Sequence, residues 1–357
     1  MIKVFEIREE YNVVNKEKRI IYLDVINIIA CIFVVALHCN FRVHNYSDTV
    51  GWKISLGIFT VCLCAVPLFL MITGTNLLGY REKYDTKKFL KKRVIKIVIP
   101  LIMWTGVIVS AKFIFFGWKI EDFTMLTFVN TILTNEHYTP YYYIYWILST
   151  YLTIPIISGL AKIENKNTLI YTIIAMFIFD SILPVICDLA HICNPGIKIN
   201  FIPYMIYIFI GYYISKYDIS KKTRMIVYVL GILSCIFKYF YVYINMSNGK
   251  IVRDFLLSYT NFYIVLWSSA VFILLKNIEK IKVLKNEKIT NIIRLISSCS
   301  FGIYLCHMFI MDLINKIFNI NIFNFSITIV STIIVYSITL IIVLVMKKTP
   351  IIKFMVP

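Results

Sequence analysis

Residues 20–40 read IIYLDVINIIACIFVVALHCN, an apolar run that carries Asp24, Asn27 and His38. About 20 residues of helix cross the roughly 30 Å hydrocarbon core of a bilayer, so this stretch predicts a membrane helix. Ionisable side chains inside such a helix are costly and mark sites of function. Asn27 and His38 are eleven residues apart. That is almost three whole turns, so they share a face and lie about 16 Å apart along the axis. A polar stripe of this kind predicts the wall of a buried, polar chamber that runs between the leaflets.

The rest of the chain has the same character. Of its 357 residues 59% are hydrophobic and 16% charged, and the mean hydropathy is +0.78, well above soluble domains. Twelve Gly and nine Pro are too few for a loop-rich or disordered protein. Ten apolar segments are expected to span, near residues 20–40, 55–79, 94–116, 141–160, 168–189, 200–215, 225–245, 255–275, 297–318 and 325–346. The sixth is short and the seventh contains Lys238. The fold class is therefore an all-α polytopic membrane protein of about ten transmembrane helices. It divides into an N-terminal tail (1–19), a membrane domain (20–346) and a C-terminal tail (347–357).

The formal charge of +18 suggests nucleic acid, but topology explains it. With both termini in the cytoplasm, 28 of the 37 Lys and Arg fall on the cytoplasmic side. That is the positive-inside bias, and no nucleic-acid partner is expected. The predicted location is the cell membrane, multi-pass, with the lipid bilayer as a partner. The charged first residues and the spanning length of the first apolar run predict an uncleaved anchor. Most of the nine Cys fall within spans as small apolar residues. Cys187 and Cys193, near the outer end of span five, are placed to bridge in an oxidising compartment.

No internal repeat or low-complexity tract is present. The extended polar segments are the N-terminal tail and residues 80–96, 117–140 and 276–294, none long enough for a further domain. Segment 117–140 mixes apolar and polar residues and is suited to a short interfacial or re-entrant helix. It precedes the aromatic run Tyr141, Tyr142, Tyr143, Tyr145 and Trp146. Such a run is either an interfacial belt or a wall for a sugar-bearing acceptor, with Tyr142 and Tyr145 as lining residues.

Five motifs in order resemble one family. LDVINIIACIFVVALH (23–38) is similar to the opening signature of the acyltransferase-3 family, bacterial membrane proteins that O-acylate cell-surface glycans. VPLFLMITGTNLL (66–78) resembles its small-residue run, and FLKKRVIKIVIPLIMW (89–104) its basic motif leading through Pro into span three. YYYIYWILSTYLTIP (141–155) looks like its aromatic span, and SSCSFGIYLCHMF (297–309) its SxGxYLxH span, here Ser300, Gly302, Tyr304 and His307. The pattern looks closest to the short, stand-alone branch that modifies surface polysaccharide. The family commonly has Arg where Asn27 stands, and a second Arg where Lys96 follows Arg93. Asn donates hydrogen bonds but cannot neutralise an anion, and Lys is a point charge where Arg is a fork. Arg19 is a candidate to compensate.

The resemblance implies an acyl-CoA co-substrate, most simply acetyl-CoA, with no permanently bound cofactor. The acceptor it implies is a surface polysaccharide or a lipid-linked glycan. Acyl transfer to a hydroxyl needs a base and a means of stabilising an oxyanion, and His38 has the right pKa range for the base. Its plainer alternative is a His that only hydrogen-bonds neighbouring helices. Asp24, fourteen residues before His38, cannot touch it on a regular helix and suits a partner at the cytoplasmic face. Arg93 and Lys96, one turn apart where the chain enters the bilayer, are the expected CoA-phosphate contacts. Tyr304 and His307 either line the same chamber or pin helices together. Asp180, Asp312, Asn76 and Lys238 also lie at membrane depth, suited to helix contacts or cavity lining. The five His show no metal-ligand spacing. A transporter or flippase that moves a glycan without chemistry is the alternative, although such proteins more often show paired repeats.

Overall fold

The computed structural model describes residues 20–115, 124–134, 141–162, 165–200, 204–250, 257–278, 286–318 and 328–357, together with single positions 117, 202, 281 and 284. Its elements are helices: α1 Ile21–His38, α2 Val50–Cys62, α3 Ala65–Leu77, α4 Thr86–Phe115, α5 Met125–Thr134 and α6 Tyr142–Ile157. They continue with α7 Lys166–Leu189, α8 Met205–Lys216, α9 Lys221–Ser247, α10 Phe262–Asn277, α11 Glu287–Phe318 and α12 Thr328–Lys348. Among the described residues there is no strand. Backbone groups inside a bilayer must be paired within the chain, and helices of this apolarity meet that demand locally.

Among the described residues eight segments are long and apolar enough to cross a membrane. The two remaining expected spans form shorter helices, α8 with 12 residues and α10 with 16. At 1.5 Å per residue these reach about 18 and 24 Å, short of a roughly 30 Å core. Nearly every residue of α8 is buried, so it is enclosed by protein. The second expected span is two helices, broken at Leu63 and Cys64. Pro67 explains the break: it sits in the first turn of α3 and its ring conflicts with the carbonyl four residues back. The segment between α4 and α6 does hold a helix, α5, and the Tyr145 hydroxyl donates to the Ile132 carbonyl on it.

Helix α1 is the hub, packing on α2, α3, α10, α11 and α12. Its buried face includes Tyr22, Asp24, Ile26, Ala30, Cys31, Val34 and Val35. Helices α3 and α8 cross with their backbones in contact. A Cβ on Gly74 would lie 2.0 Å from the Ile208 carbonyl oxygen, and one on Gly211 2.2 Å from that of Met71. The Thr75 hydroxyl seals the crossing by donating to the Gly211 carbonyl at 2.9 Å. Small residues at membrane-helix crossings permit this approach.

Helix α7 contains a π-helical turn at Phe177–Ile182, directly before Pro184. There the buried Asp180 accepts from the backbone N–H groups of Ile199 and Asn200 at 3.0 and 3.1 Å. Asp180 thus caps an extended segment instead of bridging two helices. All nine cysteines are free, with Cys187 buried and Cys193 exposed; the bridge considered for that pair does not form.

Candidate active site

A polar seam lies between α1 and α11, which run parallel. At one end Asn27 Nδ2 donates to the Ser297 carbonyl at 2.8 Å and to its Oγ at 2.9 Å. The same Oγ donates to Asp24 Oδ1 at 2.6 Å. One turn along, Cys31 Sγ approaches the Ser300 carbonyl at 3.6 Å. At the far end the rings of His38 and His307 meet, with centroids 5.1 Å apart and planes inclined by 47°. Asn27 and His38 are eleven residues apart on α1, and their partners Ser297 and His307 are ten apart on α11. The polar stripe of α1 thus packs against α11 at both ends.

His307 has no exposed surface. Its Nδ1 lies 3.0 Å from the Ile303 carbonyl and 2.8 Å from that of Tyr304. Carbonyls only accept, so Nδ1 carries the proton and Nε2 keeps its lone pair. That Nε2 is buried with no hydrogen-bond partner among the described residues. His38, half-buried at the end of α1, faces this ring. A pair of imidazoles, one with a bare buried nitrogen, can take up and return a proton.

The pair is continuous with aromatic rings. Tyr304 lies 6.1 Å from His307, and Tyr143 packs edge-on against Tyr304 at 5.6 Å. The neighbouring Tyr142 joins a second group: Trp146 is 4.6 Å from both Tyr142 and Tyr204, and Tyr259 lies 5.7 Å from Tyr204. These rings come from the starts of α6, α8 and α10 and turn toward one another. An interfacial belt turns its rings toward lipid. Ser297, Tyr204 and Tyr259 were not singled out from sequence. Ser297 carries no local signal within an SSCS run, whereas Tyr204 and Tyr259 each precede an apolar helix and a search for interfacial aromatics would have found them.

Asp24 and Asn27 lie at the other end of the seam from His38 and contact Ser297. Arg93 is half-buried and Lys96 exposed, both in the second and third turns of α4. Arg19 lies outside the described residues. Just ahead of α4, the Lys88 N–H donates to Asp85 Oδ1 at 2.8 Å, and this holds the Asp85 carboxyl below its usual range. The cap fixes where the basic helix begins. Nearby, Arg81 Nε donates to Ser158 Oγ at 2.7 Å and Nη2 to the Pro155 carbonyl at 3.0 Å, tying this end to α6. Lys238 is fully buried elsewhere in the bundle, its Nζ 5.4 Å from the ring centroids of Phe59 and Tyr263.

Fold and site together define a class: a polytopic helical membrane protein with a histidine pair in the seam between α1 and α11. The acyltransferase domain of the acyltransferase-3 family matches residues 20–348, and the chain belongs to that family; it is an acyltransferase. No curated protein and no solved structure shows a significant match.

Proposed function

We propose that the protein transfers an acyl group, most simply acetyl, from acyl-CoA to a hydroxyl of a cell-surface polysaccharide or its lipid-linked precursor. The observation that carries this reading is the contact of His38 with the buried His307, whose Nε2 has no partner among the described residues, in a chain of acyltransferase family. One imidazole removes the proton as the alcohol oxygen forms its bond to the thioester carbonyl. The carbon–sulfur bond then breaks, and the proton passes to the departing CoA sulfur. His38 is assigned as the base or acyl relay and His307 as its neighbour in the chamber. A positioned base contributes about 10²–10⁴-fold.

The donor is placed at the cytoplasmic end, where Arg93 and Lys96, with Arg19, meet the CoA phosphates. No cofactor is held permanently. Asp24 and Asn27 act through Ser297, setting the register of α1 on α11 and so the meeting of the two imidazoles. The acceptor is placed at the opposite end, where Tyr142 with Trp146, Tyr204 and Tyr259 presents half-buried faces suited to sugar rings. Tyr145 supports this wall through α5, and Tyr304 lies between it and His307. The assigned location is the cell membrane.

The test is radiolabelled acetyl-CoA and polysaccharide supplied to purified protein in nanodiscs. Label reaching polysaccharide, with a loss of about 10²-fold or more in His38→Ala at unchanged membrane level, is the expected result. Movement of glycan without covalent transfer would establish a flippase instead.

A further inference from the structure

The last residues of the chain fold back into the bundle. Beyond α12 the backbone reverses at Ile351, with φ 69° and ψ −55°, and the Ile352 N–H reaches the Pro350 carbonyl at 2.8 Å. This is a γ-turn of the rare kind with positive φ, centred on a β-branched residue, and it is strained. Strain of this sort persists where the surroundings over-determine it. The short turn Ile352–Met355 that follows leads Met355 and Val356 inward, both buried and Val356 completely so.

Three helices grip this turn. On α4 the indole N–H of Trp104 donates to the Met355 carbonyl at 3.0 Å. On α11, Gly302 leaves the space that Val356 fills. A Cβ there would stand 2.9 Å from Val356 Cβ and 2.8 Å from a methyl of Val343 on α12. The glycine of the SxGxYLxH motif is therefore where the tail seats. The family match ends at residue 348, before the reversal.

The gripped helices carry different parts of the proposed machinery. Arg93 and Trp104 are eleven residues apart on α4, so they share a face about 16 Å apart along the axis. His307 stands five residues beyond Gly302 on α11, about 7.5 Å along its axis. We propose that residues 352–356 are a positioning element for acyl transfer: wedged between α4 and α11, they fix the distance from the donor-binding cations to the imidazole pair. This rests on the function proposed above. A misplacement of about 1 Å from a near-attack geometry costs on the order of 100-fold in rate, which is the lever the wedge controls.

Two variants test it in nanodiscs with labelled acetyl-CoA. Val356→Asp puts a carboxyl at a fully buried position, and Trp104→Phe keeps a ring while removing the N–H donor. Both are expected to keep the wild-type KM for acetyl-CoA. The expected fall in kcat is about tenfold or more for the first and a few-fold for the second, and Val356→Ile should restore turnover. If Val356→Asp does not reach the membrane folded, Trp104→Phe decides alone. Wild-type kcat in the folded variants, or a loss of kcat matched by a rise in KM, overturns the proposal. A wild-type protein that transfers no acetyl overturns instead the function on which it rests.

Discussion

Substituting Gly74 by alanine probes the close crossing of α3 and α8. A Cβ at Gly74 would sit 2.0 Å from the Ile208 carbonyl oxygen, where ordinary contact begins near 3.4 Å. The obstacle is backbone, which no side-chain rotation relieves, so α3 and α8 must part by about 1.4 Å. Overpacking of a tight core costs about 1–3 kcal/mol. Parting the helices also stretches the Thr75–Gly211 bond, worth about 1 kcal/mol. The expected destabilisation of Gly74→Ala is thus about 2–4 kcal/mol. Thermal unfolding in one detergent, followed by loss of the monodisperse peak, reads it directly. Gly106→Ala is the control: nothing lies within 4 Å of a Cβ there, and alanine favours the helix by about 1 kcal/mol over glycine. If Gly74→Ala melts no lower than Gly106→Ala, helices α3 and α8 do not touch as described.

Ser297→Ala removes the hydroxyl that joins Asp24 to Asn27. A loss of about 1–3 kcal/mol in thermal stability is expected, with Ser297→Thr restoring most of it. Lys238→Met replaces a fully buried amine, which has no hydrogen-bond acceptor among the described residues, by an apolar chain of similar length. Unchanged or raised stability is expected, and a clear fall in melting temperature would show the amine to be needed. Asp85 is held below its ordinary value by the Lys88 N–H. Its support of α4 is therefore present above the ordinary carboxylate range and is lost as pH falls through the lowered folded value. Melting curves from about pH 6 to about pH 3 should fall less steeply for Asp85→Asn, whose amide caps without titrating.

Much of this arrangement is legible in the sequence because bilayer physics is local. Hydropathy places the long helices, and the eleven-residue spacing of Asn27 and His38 puts them on one face without reference to any partner. What that face meets is not local. Ser297 is one of three serines in four residues, and only packing selects it. The tyrosine run gave no basis for preferring Tyr142 and Tyr145 over Tyr143, yet Tyr143 is the ring against Tyr304. The reversal at Ile351 runs against local preference, since a β-branched residue disfavours positive φ, and tertiary contacts override it. Asp180 was legible as a buried carboxyl but not as a loop cap, because its donors lie 19 and 20 residues away across a turn.

The seam joins residues 270 positions apart, drawn from the first and eleventh of the twelve helices among the described residues. Local helices form early during synthesis, while pairings this remote come late. A ribosome-bound or truncated chain lacking α11 would hold His38 without its counterpart. On the function proposed above, turnover then begins only once α11 has joined α1 and the two imidazoles meet.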